Sequence, residues 1–170
     1  MKLHSTFLVV LASTIMLSCT PKENRIIFDK QANQEILYGY ATTEVFENPL
    51  FNQWYSSEYN SYTLDSILLD SLKLYTDKVS VKMVIGTWCG DTRREAPRFI
   101  KIIDHLKIPA NSIEIIGVNR SKMCPEAGID SGYVEYVPTF IIYRQSEEIG
   151  RIVERPNHTL EKDLLNILKQ

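Results

Sequence analysis

The stretch from residue 79 to residue 118 restricts the fold of this chain more than any other. Val79, Val81, Met83 and Ile85 alternate with their neighbours, the period of a strand with one face in a core. Gly86 and a short loop follow. Residues 92–106 then put Ala96, Phe99, Ile100, Ile103 and Leu106 on one helical face. Residues 113–118 are a near-continuous apolar run, which suits a strand buried at the centre of a sheet. A strand, a helix and a second strand of this kind require a parallel crossover, and so an α/β fold. After a long loop at 119–136, two more strands are expected at 139–143 and 149–153, with a turn at 145–148. Leu160, Leu164 and Leu168 lie four residues apart and close the chain with a helix that Thr159 caps. The order is β-α-β and then β-β-α around a central mixed sheet.

Residues 26–78 read as an N-terminal extension packed on the domain formed by residues 79–170. Within it, residues 35–42 are expected to be a strand. Residues 44–62 are dense in aromatics (Phe46, Phe51, Trp54, Tyr55, Tyr59, Tyr62), with Pro49 interrupting. These rings suit packing of the extension onto the sheet edge or a helix; the alternative is that they line a recognition groove. From Leu64 the pattern is helical, with Leu64, Ile67, Leu68, Leu72 and Tyr75 on one face.

The chain opens with Met1-Lys2, an apolar run over 7–17, and Ser18-Cys19. This reads as a secretory signal over residues 1–18, the run being shorter than the roughly 20 apolar residues of a membrane span. Leu17-Ser18-Cys19 also resembles the lipobox of bacterial lipoproteins, with Met16 where that pattern usually has Leu. The resemblance implies cleavage before Cys19, lipidation of Cys19 and a tether over residues 19–25. The domain would then face the extracytoplasmic side of a bacterial cell envelope, held to a membrane by the lipid. The 19 Lys and Arg are spread along the chain among 21 Asp and Glu, a balance that gives no sign of a nucleic-acid partner.

Cys19 set aside, two cysteines remain, Cys89 and Cys124. Cys89 lies just ahead of the first helix of the domain, in Thr87-Trp88-Cys89-Gly90-Asp91-Thr92. A cysteine there faces unpaired backbone N–H groups and the positive end of the helix dipole, which favour the nucleophilic thiolate. Arg93 and Arg94 add positive charge nearby, and Asp91 opposes them. A protease-like pair would need a histidine close by. His105 stands at the far end of the same helix, about 24 Å away at 1.5 Å per residue, and nothing in the sequence ties His158 to the site. No histidine or carboxylate cluster has metal-ligand spacing, and no cofactor is implied.

Trp88-Cys89-Gly90 with Thr92, Ala96-Pro97 on the following helix, and Val137-Pro138-Thr139 entering a later strand together resemble the thioredoxin superfamily. The resemblance covers residues 79–170. Within that superfamily the chain is similar to bacterial envelope thioredoxin-like proteins reading Trp-Cys-Gly-Asp and then Ser or Thr. It implies a thioredoxin-like fold, Pro97 as the helix-kinking proline and Pro138 as the cis-proline beside the active-site cysteine. Cys89 would be the nucleophile, shielded by Trp88. Val137, Pro138 and Thr139 would receive an extended polypeptide or a small thiol or disulfide. Thr92 stands where the superfamily has its second cysteine, and Met83 where it has a buried aspartate. The internal dithiol cycle is therefore excluded, and Thr92 is placed instead to donate a hydrogen bond to the thiolate. Three readings fit these residues: Cys89 exchanges disulfides alone, with an external thiol resolving the product; Cys124 is the resolving cysteine; or the domain binds through the groove beside Pro138 without redox chemistry.

Overall fold

The computed structural model describes residues 23–170. The signal segment, Cys19 and the first part of the tether lie outside the described residues.

The described residues form a mixed α/β fold, with a five-stranded mixed sheet, a two-stranded hairpin and four α-helices. β1 (Ile26–Asp29) and β2 (Gln34–Leu37) pair antiparallel as the hairpin. β3 (Gly39–Ala41) follows at once but belongs to the large sheet, where it pairs antiparallel with β5. The single strand expected over 35–42 is thus two, because Gly39 at φ +93° turns the backbone out of the extended region. The N-terminal segment does more than pack on the sheet: it supplies an edge strand.

A 3-10 turn (Thr43–Glu47) leads into α1 (Pro49–Ser61). Pro49 starts this helix, since its missing N–H and fixed φ suit the first turn, and the Asn48 side chain caps it by accepting from Leu50 N at 3.0 Å. α2 (Ser66–Leu72) is capped by Asp65, which accepts from the amides of Ile67 and Leu68. Leu69 and Leu72 face inward there, whereas Ile67, expected on the apolar face, is 79% exposed.

β4 (Val79–Ile85), α3 (Gly90–Leu106) and β5 (Ile113–Gly117) form the crossover, and β4 and β5 are parallel. β6 (Thr139–Arg144) and β7 (Glu147–Val153) form a hairpin whose first strand, β6, pairs antiparallel with β4, giving the order β3-β5-β4-β6-β7. α4 (Leu160–Leu168) closes the fold, with Thr159 accepting from Lys162 N at 3.2 Å.

The two faces of the sheet are covered differently. Val79, Val81, Met83 and Ile85 of β4 share one core with Phe51 of α1, Leu69 and Leu72 of α2, and the buried faces of α3 and α4. Val84 points the other way, into a second cluster with Ile116, Ile141, Cys124, Ile129 and Val137. That face is covered by the segment 118–137, which holds only a short 3-10 turn at Pro125–Ala127. Ion pairs and polar bonds tie α1 to α3: Arg98 holds Glu58 at 2.8 Å, and Tyr59 donates to Asp104 at 2.8 Å. The buried Glu161 of α4 accepts from the Tyr62 hydroxyl at 2.8 Å and from Asp65 N at 3.3 Å, so its carboxylate is satisfied.

Candidate functional site

Cys89 is the N-cap residue of α3, with extended backbone at φ −92° and ψ 131°. Its amide donates to Gly86 O at 2.8 Å, and its carbonyl accepts from Arg93 N at 3.1 Å, which closes the turn between β4 and α3. The half-buried thiol does not bond to the first amides of α3. It donates to the Val137 carbonyl at 3.2 Å. The Val137–Pro138 peptide is cis, and Pro138 leads directly into β6. Two segments 48 residues apart in sequence therefore meet at one sulfur atom.

Trp88 folds back over the end of β4. A Cβ on Gly86 would lie 2.6 Å from the Trp88 ring, so this return requires glycine. The indole Nε1 donates to Val118 O at 3.1 Å, which fixes the ring between the ends of β4 and β5. Thr139 is buried and donates its hydroxyl to Tyr136 O at 2.8 Å, holding the turn before β6. Gly90 is exposed, and a Cβ there would meet nothing within 4 Å.

Thr92 differs from the expectation. It is fully buried, and its hydroxyl accepts from Gly86 N at 3.3 Å; the Cys89 thiol has Val137 as its partner instead. Thr92 thus joins the strand end to the helix and does not serve the sulfur. Arg93 also turns away, donating to Thr87 O at 2.8 Å and to Gln34 Oε1 at 3.2 Å. Asp91 is held by Arg155 and Arg94, each at 2.8 Å. The Arg155 hydrogen bond, then Arg94, keep this carboxyl below the usual aspartate range against the opposing effect of burial. Its negative charge beside the helix start is compensated by two guanidinium groups.

Cys124 is completely buried and is not paired with Cys89. Its amide and carbonyl form a bridge with Ile129, and its sulfur lies 4.0 Å from Glu126 Oε1. Arg25 pairs with Glu126 and lies over the Tyr38 ring at 4.9 Å, so the N-terminal segment covers this corner.

Sequence reasoning missed the other side of the site. A depression of about 390 Å³ opens at Cys89, lined by Trp88, Val137 and Tyr136. Arg120, Lys122, Glu135 and Glu154 complete its wall. The Arg120 guanidinium stacks on the Trp88 ring at 4.3 Å, a cation–π contact. Its backbone is set by Asp29 of the distant hairpin, whose Oδ2 accepts from Arg120 N at 2.7 Å. Gln31 adds a bond to Ser121 at 2.8 Å, and Leu37 N donates to the Thr87 hydroxyl at 3.1 Å. The hairpin thereby buttresses both loops that border the thiol. Nothing in the spacing of Asp29 and Arg120 signals this pairing; the one available cue was a pair of basic residues just after a central strand.

No family model and no curated protein matches the sequence. Among solved structures, the chain is similar to a protein of unknown function from Pseudomonas aeruginosa, at 14% identity and a TM-score of 0.47 over 72% of this chain and 82% of that one. It is similar to the same degree to an HIV epitope-scaffold, at 15% identity and a TM-score of 0.47, again over 72% and 82%.

Proposed function

We propose that this chain is a thioredoxin-like protein of the bacterial cell envelope, lipid-anchored through Cys19, whose Cys89 carries out thiol–disulfide exchange as a single thiol. The observation that carries the reading is the meeting of Cys89 Sγ with the Val137 carbonyl at the mouth of a 390 Å³ depression. The order β-α-β then β-β-α on one mixed sheet supports the superfamily assignment, as do the cysteine at the head of α3 and the Val137-Pro138-Thr139 turn beside it. The envelope location and the anchor rest on the sequence of the first 19 residues.

The chemistry needs no second protein cysteine. The Cys89 thiolate attacks one sulfur of a disulfide R–S–S–R′; the new Cys89–S–S–R bond forms as the R–S–S–R′ bond breaks, and R′S⁻ leaves to take a proton. An external thiolate then attacks the R sulfur of the mixed disulfide. It departs as the new disulfide with R, and Cys89 is returned as thiolate. No net oxidation occurs; one disulfide is exchanged for another. Cys124, buried beneath Arg25 and Tyr38, is not part of this cycle.

The test is to treat the full chain with a small disulfide and map the peptides by mass. The expected result is an adduct at Cys89, released by an external thiol and abolished by Cys89→Ser. An adduct that forms only after unfolding would leave the depression as a binding groove with no redox role.

A further inference from the structure

Resting on that reading, we infer that the Cys89 site selects a dipolar low-molecular-weight disulfide, one that carries both ammonium and carboxylate groups, over a polypeptide or an uncharged disulfide. The inference comes from the wall of the depression. Two cations, Arg120 and Lys122, and two carboxylates, Glu135 and Glu154, line one small space around a single thiol. Among the described residues none of the four takes part in an ion pair within 4.0 Å, although ten such pairs form elsewhere. Charges of both signs are therefore gathered at the site without forming ion pairs with each other, the Arg120 charge being felt by the buried Asp29.

The arrangement separates the tasks. Trp88, Val137 and Tyr136 offer apolar surface to the methylene and sulfur atoms of the ligand, and Tyr136 is 51% exposed there. The four charged groups offer partners to the polar ends. Arg120 is tied at both ends: its backbone is bonded to the buried Asp29 and its guanidinium carbon lies over the Trp88 ring, 4.3 Å from the centroid. A planar guanidinium held in this way suits a carboxylate, which it can meet with two parallel bonds. The volume of about 390 Å³ falls in the small-molecule range. A stable protein partner would need a footprint of roughly 1,000 Å² or more in total.

The experiment uses the full chain and reads the rate of mixed-disulfide formation at Cys89 by peptide mass. Four probes are compared at low ionic strength: cystine (dipolar), cystamine (cationic), dithiodiglycolate (anionic) and 2-hydroxyethyl disulfide (neutral). Each rate is divided by that of the same probe with the unfolded chain, which removes the intrinsic reactivity of the probe. Cystine is expected to exceed the neutral probe by roughly threefold to tenfold, the range for two partly exposed charge contacts. Arg120→Gln and Glu154→Gln should each lower that ratio. Equal normalised rates for all four probes, or an unchanged ratio in both variants, would overturn the selectivity while leaving exchange at Cys89 intact. So would a peptide disulfide that outpaces every small probe. Failure of Cys89 to react with any probe would instead overturn the exchange reading, and this inference with it.

Discussion

Asp29 is 8% exposed and accepts three backbone N–H bonds, from Gln31, Ala32 and Arg120, at 2.7 to 3.1 Å. Burial pushes its carboxyl up, but the amides, that of Arg120 foremost, outweigh it and hold it below the ordinary aspartate value. A carboxyl lowered on folding contributes stability above its unfolded value of about 3.9 and loses it as the pH falls through the folded value. Asp29→Ala should therefore cost about 2 kcal/mol near neutral pH, and the melting curves of variant and parent should converge on acidification. Parallel curves down to the acid limit would contradict this. Tyr59 is the alkaline counterpart. Burial, then its bond to Asp104, pushes its hydroxyl up to about 12. Its contribution is complete below about pH 10 and is lost as the pH rises through the folded value. Phenolate absorbance should show Tyr59 titrating late, and Tyr59→Phe should remove that step while leaving those of Tyr55, Tyr62 and Tyr143, which burial pushes up further. For Thr92, whose hydroxyl accepts from the buried Gly86 amide, Thr92→Val should destabilise by about 1–3 kcal/mol. Slower Cys89 chemistry with no loss of stability would return Thr92 to the thiol.

At the level of elements, regular periodicity was readable and long-range support was not. β4, α3, β5 and the closing hairpin and helix fall close to the ranges that alternation and helical spacing indicate, because each buries a complete face. The first 78 residues were harder for two physical reasons. Gly39 splits one apparent strand between two sheets, and Pro49, read as an interruption, begins a helix. Phe46 and Phe51 are buried in the core, and Trp54, Tyr55, Tyr59 and Tyr62 pack against it half-buried: Phe46 stacks on Tyr55 at 4.5 Å and meets Trp54 edge-on at 5.8 Å. Trp54→Ala should cost about 3 kcal/mol. Its Nε1 is buried without a hydrogen-bond partner, so Trp54→Phe should cost far less, the ring being kept and an unsatisfied donor removed. Thermal melts of the two variants decide the matter; equal losses would show that the indole nitrogen is satisfied after all.

Over the whole molecule, the helices take one face of the sheet, and the segment 118–137 takes the other. The site lies where that segment, the start of α3 and the turn into β6 converge. Cys89 and the turn were legible as motifs, since each depends on a few adjacent residues. Arg120, the hairpin that steadies its backbone, and Glu154 were not, because their meeting depends on how distant strands register. The same topology buries Cys124, so air oxidation of the folded chain should not remove the two hydrogen atoms that a Cys89–Cys124 disulfide would cost its mass. The central claim is that the fold makes Cys89 a working nucleophile. Its most direct test is the second-order rate of Cys89 with 2-hydroxyethyl disulfide at neutral pH, folded against unfolded, with the adduct located by peptide mass. The folded chain should react faster, by about tenfold or more; a folded rate equal to or below the unfolded one would show that folding does not activate Cys89.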